Sequence, residues 1–473
     1  MKDPSHAPAP LPRATVVFLM GLAGTVVAAP TTTAAEVAHG YAIGVGLSIL
    51  ASLALEYRRN LRNLVRADVM AIASLYFLTL FEFLLPQPEF NLMVTLEDTK
   101  SALVACLFGF AGLALGRHIA PTPPASLRRT LHDEFSARAF LSIYTVCLIG
   151  GYFHMLLAVD FNFMEMVRYF MTPRFTQPWG RGKFGDWKAL IGELGMVLYL
   201  VPPIAGIVIA RRKEYTKNQL IYVVVTFLFT LFYGFSSGTR NIFASYLATF
   251  LVAFAFAHDQ RRRRELIAVG ALCATLMLFA TVTMLQFRNI GLDSYLAGER
   301  ENEETKSEKS FFVDYNLYVI SKLVAVFPEQ HDYLGLEIPY LSIIRPIPRA
   351  IWKSKPEGLS ISIEDAVGVE GLTLASSFVG EGYMSGGLLG VFLTGSVFGA
   401  VAGWWNRLGR GDNSPFGHLV FASGFFAAVI SMRSMFVFTT AILPTIAALL
   451  LGNWVVSKRP LRRSHVEPAE PTS

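Results

Sequence analysis

Residues 38–57 read AHGYAIGVGLSILASLALEY, residues 58–66 read RRNLRNLVR and residues 67–86 read ADVMAIASLYFLTLFEFLLP. Two apolar runs, each close to the ~20 residues that cross ~30 Å of hydrocarbon, are joined by a short segment carrying Arg58, Arg59, Arg62 and Arg66. Such a pair reads as two membrane helices joined on the cytoplasmic side, because basic loops stay there.

The pattern recurs along the chain. Apolar runs cover about residues 14–29, 38–57, 67–86, 101–116, 138–159, 188–210, 219–235, 242–258, 266–286, 386–405, 416–432 and 436–456, which predicts an all-α polytopic membrane protein with about twelve transmembrane helices in a single membrane domain, 1–473. Of the 473 residues 53% are hydrophobic and 16% charged, and the mean hydropathy is +0.45. Such a chain lacks the polar surface a soluble domain of this size needs. Segment 14–29 is read as a retained span rather than a signal peptide, since another span follows closely.

Basic clusters fall after every second span. Lys2 and Arg13, then Arg58 to Arg66, Arg117 with Arg128, Arg129 and Arg138, Arg211 with Arg212, Lys213 and Lys217, the four arginines at 261–264, Arg407 and Arg410, and Lys458 with Arg459, Arg462 and Arg463 all take the inner side. Both termini are therefore expected in the cytoplasm of a bacterial inner membrane. The net charge of +6 is accounted for by these anchors, and no basic stripe points to nucleic acid. Cys106, Cys147 and Cys273 lie in apolar runs and read as packing residues. Gly395, Gly399 and Gly403 share one helix face and predict close backbone packing, and Pro202 and Pro203 predict a kink in the sixth span.

Polar residues that are not cytoplasmic anchors gather on the outer side. Glu82 and Glu193 fall inside the third and sixth spans near their outer ends, and Arg240, Arg288 and Arg433 stand in outer turns. One such arginine serves as readily to snorkel to lipid phosphate as to bind a ligand. Several together predict a cationic pocket for an anionic group at the membrane surface, since guanidinium offers paired donors to phosphate oxygens. No Walker A sequence, Asp-x-Asp pair, His-Glu-x-x-His or Cys-x-x-Cys is present, so no metal ligand set and no cofactor is predicted.

The loop 287–386 between the ninth and tenth spans is too long for a connector and too aromatic for a disordered one. Residues 298–310 read as a solvated run of acids and lysines. Residues 311–327 place Phe312, Tyr315, Tyr318, Val319, Lys322 and Val326 at helical spacing, predicting an amphipathic helix on the outer leaflet. Residues 339–356 set Arg345, Arg349, Lys353 and Lys355 beside Trp352, putting cations beside aromatics at the interface, with a generic interfacial anchor as the alternative.

At these residues the sequence resembles the Wzy-type O-antigen polymerases, which join oligosaccharide repeat units. The resemblance rests on Ser236-Ser237-Gly238-Thr239-Arg240-Asn241, on Pro348-Arg349-Ala350-Ile351-Trp352 followed by Lys355-Pro356, on residues 377–383, and on Gly386-Gly387. It departs at Lys353, where many relatives carry proline. The resemblance implies a GT-C-like, metal-independent glycosyltransferase that uses undecaprenyl diphosphate-linked oligosaccharide at the periplasmic face, among membrane lipids and with chain-length regulator and flippase partners. It places the diphosphate-binding role on Arg240 and Arg349. From their clustering, Arg288, Arg345, Lys355 and Arg433 join as substrate-binding residues, with Tyr383 beside them. Glu381, a carboxylate between two glycines, is the candidate general base, with a salt-bridge role equally open. Two alternatives remain: an O-antigen ligase, for which His331 is the histidine of the long loop, and a flippase or exporter of lipid-linked glycan.

Overall fold

The computed structural model describes residues 10–30, 32–57, 66–132, 134–173, 176–179, 194–258, 262–298, 316–347, 349, 351–356, 358–368, 374–409 and 413–457. Glu193, the acidic run, Phe312, Tyr315 and the C-terminal basic cluster lie outside them. Among the described residues the chain is helical without strands. Its helices are α1 (Pro12–Ala28), α2 (Ala34–Tyr57), α3 (Ala67–Thr79), α4 (Leu96–Gly116), α5 (Ala137–Ala158), α6 (Phe163–Phe170), α7 (Leu194–Ala210), α8 (Lys217–Ser236), α9 (Arg240–Ala257), α10 (Arg263–Phe287), α11 (Asn316–Val326), α12 (Glu337–Ile344), α13 (Ser377–Asn406), α14 (Pro415–Ile430), α15 (Met435–Ala441) and α16 (Leu443–Ser457). Nine stretches among the described residues are long and apolar enough to cross a membrane. α1, α3 and α7 are shorter apolar helices at three further predicted spans. The protein is a membrane-embedded helical bundle.

Local chemistry explains where several helices change. α7 runs as a 3-10 helix over Leu194–Leu200 and becomes α-helical at Val201, with Pro202 and Pro203 in its first turn. Proline lacks the N–H that an interior position needs, so a helix restarts there rather than passing through. α3 ends at Thr79, and Glu82 lies in a separate 3-10 turn, Phe81–Leu84, rather than inside one continuous span.

The predicted glycine face finds its partner in α4. A methyl group added at Gly395 would stand 2.8 Å from the Gly109 carbonyl, one at Gly403 would stand 2.7 Å from the Arg117 carbonyl, and one at Gly399 would strike the Leu113 carbonyl. Gly112 and Gly116 return the contact onto Phe392 and Ser396. With no Cβ between them the two backbones touch, which is how helices associate where lipid removes the hydrophobic drive. The order of the contacts makes α4 and α13 parallel.

This sets the two ends of the bundle. Arg117, Asp68 and Asn406 meet at one end. At the same end, the N-terminus of α1 joins α2 through the Leu11 amide, which donates to Glu56 at 3.1 Å. α14 returns antiparallel, with the Trp405 indole donating to the Phe421 carbonyl at 2.9 Å. Phe256 near the C-terminus of α9 packs on Phe421 with ring centroids 4.8 Å apart. Arg240, at the other end of α9, therefore shares the far end of the bundle with Arg433.

Two expectations for the long loop change. α11 does not lie flat on the bundle surface: Leu317, Val319, Ile320 and Leu323 are buried, and the helix packs against α4 and α13. Of the face the spacing predicts, Tyr318, Lys322 and Val326 are partly exposed while Val319 is buried. α13 is also not a plain span starting at residue 386. It begins at Ser377 and breaks at Gly386 and Gly387, where Gly387 has φ 60° and ψ −148°. Beyond the break the chain doubles back, so that a methyl on Gly382 would lie 3.0 Å from the Val391 Cα and one on Gly390 would strike the Gly382 carbonyl. In an unbroken helix residues eight apart are about 12 Å distant. Residues 377–385 thus form a short re-entrant arm lying against the start of the membrane-crossing part, 388–406.

Candidate functional site

The re-entrant arm carries Glu381 into the bundle. Val379 and Val391 both face Gly109, roughly 20 Å along α4 from its N-terminus at ~1.5 Å per residue. Glu381 is 3% exposed. One carboxylate oxygen accepts from the Ser434 hydroxyl, and the other accepts from the Met435 amide at 2.6 Å. Ser434 is the N-cap of α15, and its Oγ also accepts from the Phe436 amide at 3.1 Å. The preceding residue, Arg433, ends the 3-10 turn Ser431–Arg433. The glycines beside Glu381 are filled by protein: a methyl on Gly380 would stand 3.0 Å from Leu323 and collide with the Ser376 side chain, and Gly382 abuts Val391. Both glycines serve the close packing of the arm.

Arg345 follows α12, with its guanidinium 5.3 Å from the centroid of the Phe436 ring. A cation over a ring face is held electrostatically while its other side meets water, and Arg345 is exposed. Its charge also acts on Glu381. Lys355 donates to the Arg345 carbonyl at 2.8 Å and the Ile347 carbonyl at 3.0 Å, and Arg349 donates to the Pro356 carbonyl at 3.1 Å. These two cations close the basic-aromatic loop on itself. Tyr383 meets Tyr333 edge to face with centroids 6.2 Å apart, and the Tyr333 hydroxyl lies against Gly387. The structure thus gathers Glu381, Arg345 and Arg433 around the start of α15, with Tyr383 on the same arm and Lys355 tied to Arg345 by its backbone.

Arg240 and Arg288 form a second group. Gly238 turns the chain with φ 63°, and a methyl there would lie 3.1 Å from the Arg288 Cα. Arg240 opens α9, and its N-cap Thr239 makes no side-chain bond into the helix. Its hydroxyl donates back to the Ser237 carbonyl at 3.3 Å instead. The positive end of the α9 dipole is thereby left beside two arginines, an arrangement that favours an anion. Arg240 is partly exposed and Arg288 exposed.

Sequence reasoning missed the opposite end. Arg66 and Arg117, read as cytoplasmic anchors, are 4% and 2% exposed. Arg66 pairs with Asp68 at 2.6 Å and Glu56 at 3.2 Å, and Arg117 lies 3.4 Å from Asp68 and 3.8 Å from Glu56. Asn406 donates to Asp68 and accepts from the Ala67 amide at 2.7 Å, while Thr15 bonds Arg117 and lies 2.7 Å from the His118 ring. Burial, with the neighbouring Arg117 cation second, lowers the His118 pKa below its ordinary value. The one available signal was the pair of acids, Glu56 and Asp68, bracketing the arginine run.

A family model described as a domain of unknown function (DUF8712) matches residues 279–426. That stretch holds Arg288, Arg345, Arg349, Lys355, Glu381 and Tyr383, and stops short of Arg240 and Arg433. No curated protein and no solved structure matches the chain.

Proposed function

We propose that this chain is an oligosaccharide repeat-unit polymerase of the Wzy type, a glycosyltransferase with about twelve transmembrane helices that lengthens undecaprenyl diphosphate-linked glycan. The basic-loop pattern puts the Glu56 to Arg117 end in the cytoplasm and the Arg240 to Arg433 end in the periplasm of a bacterial inner membrane. The observation that carries the reading is Arg240 at the uncapped start of α9 beside Arg288.

In the reaction the acceptor hydroxyl oxygen bonds to the anomeric carbon of the donor sugar. The bond from that carbon to the phosphate oxygen breaks, and its electron pair leaves with the diphosphate. The hydroxyl proton passes to water or to a phosphate oxygen. Charge accumulates on the diphosphate, and fixed guanidinium groups aimed at it stabilise the transition state more than the ground state. Arg240 and Arg288 are assigned to that charge. Arg345, Arg349, Lys355, Arg433 and Tyr383 are assigned to holding lipid-linked glycan nearby, the loop-closing bonds of Arg349 and Lys355 shaping the wall rather than reaching in.

The test is a deletion strain, which should accumulate a lipid-linked glycan of one repeat unit; long glycan of normal length there sinks the reading. Transfer in washed membranes should survive EDTA, and loss restored by Mg2+ would count against arginine-based stabilisation. The ligase reading depends on His331, which is exposed beside Phe327, and predicts long lipid-linked glycan in the deletion strain instead.

A further inference from the structure

We propose that Glu381 is a positioning residue that fastens the re-entrant arm to the turn bearing Arg433, rather than the base that takes the acceptor proton. The observation is the double engagement of its carboxylate, with one oxygen on the Ser434 hydroxyl and the other on the Met435 amide. Ser434 and Met435 open α15, whose first N–H groups have no partner within the helix. Through the Ser434 hydroxyl the carboxylate also orders the Phe436 amide, and Phe436 is the ring beneath Arg345. One buried side chain therefore sets two cations: Arg433, one residue before the bonded pair, and Arg345, over the ring one residue after it.

The arm supplies the other half of the argument. Gly382 and Gly390 bring the two limbs of α13 into backbone contact, and Leu334 donates to the Met384 carbonyl at 2.8 Å. An arm braced on both sides gives Glu381 a fixed origin, so its bonds transmit position to the turn. A general base needs the opposite, an oxygen open to the acceptor hydroxyl at ~2.6–3.2 Å. What Arg433 and Arg345 then hold rests on the diphosphate reading above; the fastening itself does not.

The full chain in lipid nanodiscs provides the test, by hydrogen exchange at the Met435 and Phe436 amides. Glu381→Ala should raise exchange there by at least about tenfold, the response of a locally opened turn. Glu381→Gln should stay within about threefold of the parent, because the Gln carbonyl accepts from Met435 while its amide donates to Ser434. Transfer rates should follow the same order, with Glu381→Gln near parental and its pH profile unchanged. A base predicts the reverse: Glu381→Gln as inactive as Glu381→Ala, with the acid limb of the profile gone. That result, or unaltered exchange in Glu381→Ala, overturns the inference. Should Glu381→Ala fail to fold, Ser434→Ala removes one of the two bonds and should raise exchange at Phe436; unchanged exchange there is equally fatal. A parental chain that shows the exchange pattern but makes no glycan refutes the polymerase reading and leaves the fastening standing.

Discussion

The two ends of this bundle use arginine in opposite ways. At the α4 C-terminal end Arg66 and Arg117 are sealed from solvent and matched by Glu56 and Asp68, with Asn406, Thr15 and the Leu11 amide taking up further donors and acceptors. Two cations and two anions in one cluster leave it close to neutral, the condition under which charges are tolerated away from water. At the other end Arg240, Arg288, Arg345, Arg349 and Arg433 all keep contact with solvent. They sit on a helix start, a helix end, an aromatic ring and two turns, and their acid neighbour Glu381 is already bonded twice. A buried balanced arginine holds helices together. Arginines that face solvent at one end of the bundle can offer their donors to an anionic ligand.

Four measurements break or sharpen that contrast. Asp68→Ala strands Arg66 and Arg117 against Glu56 alone and should cost about 3–5 kcal/mol of stability, read as a large fall in melting temperature in detergent. An unchanged melting temperature would show that the cluster is solvated and does not hold α1 to α4 and α13. Arg240→Ala should do the converse, slowing glycan transfer by roughly a hundredfold or more at unchanged melting temperature. Arg240→Lys should recover only part, since ammonium lacks the forked geometry, and full activity in a well-inserted Arg240→Ala would reduce Arg240 to an anchor.

Gly399→Ala tests the link between the ends. Its methyl would press on the Leu113 backbone, and overpacking of that kind costs about 1–3 kcal/mol. The melting temperature should fall less than in Asp68→Ala; no fall would mean that α4 and α13 slide freely. The smallest effect concerns pH. With its folded-state pKa lowered, His118 takes up a proton more readily in the unfolded chain. Its contribution to stability is then present above its ordinary pKa of about 6.5 and lost as pH falls through the lower folded value. Glu56, Arg66, Asp68 and Arg117 all act on this ring, so the fall in melting temperature from about pH 7.5 to about pH 5 should be modestly shallower in His118→Gln. Identical slopes would remove His118 from the cluster.

The helical membrane class, nine of the apolar spans, the proline break in α7 and the glycine face of α13 were all legible in the amino-acid order. Each rests on a property that one helix carries alone: its apolar length, its missing N–H or its small-residue spacing. The same order showed Arg240 and Arg433 in turns on one side, because successive spans reverse direction. It could not show which glycine pairs meet. Gly386-Gly387 looked like the start of a span, and only the folded chain shows residues 377–385 turned back against 390 and 391. Nor could it separate Arg66, buried, from Arg288, exposed, since both follow or precede an apolar run. Burial depends on whether partners from other helices arrive at the same point, as Arg117 and Asn406 do at Asp68 from tens and hundreds of residues away. That is settled by how α1, α2, α3, α4 and α13 pack, and no single span carries the information.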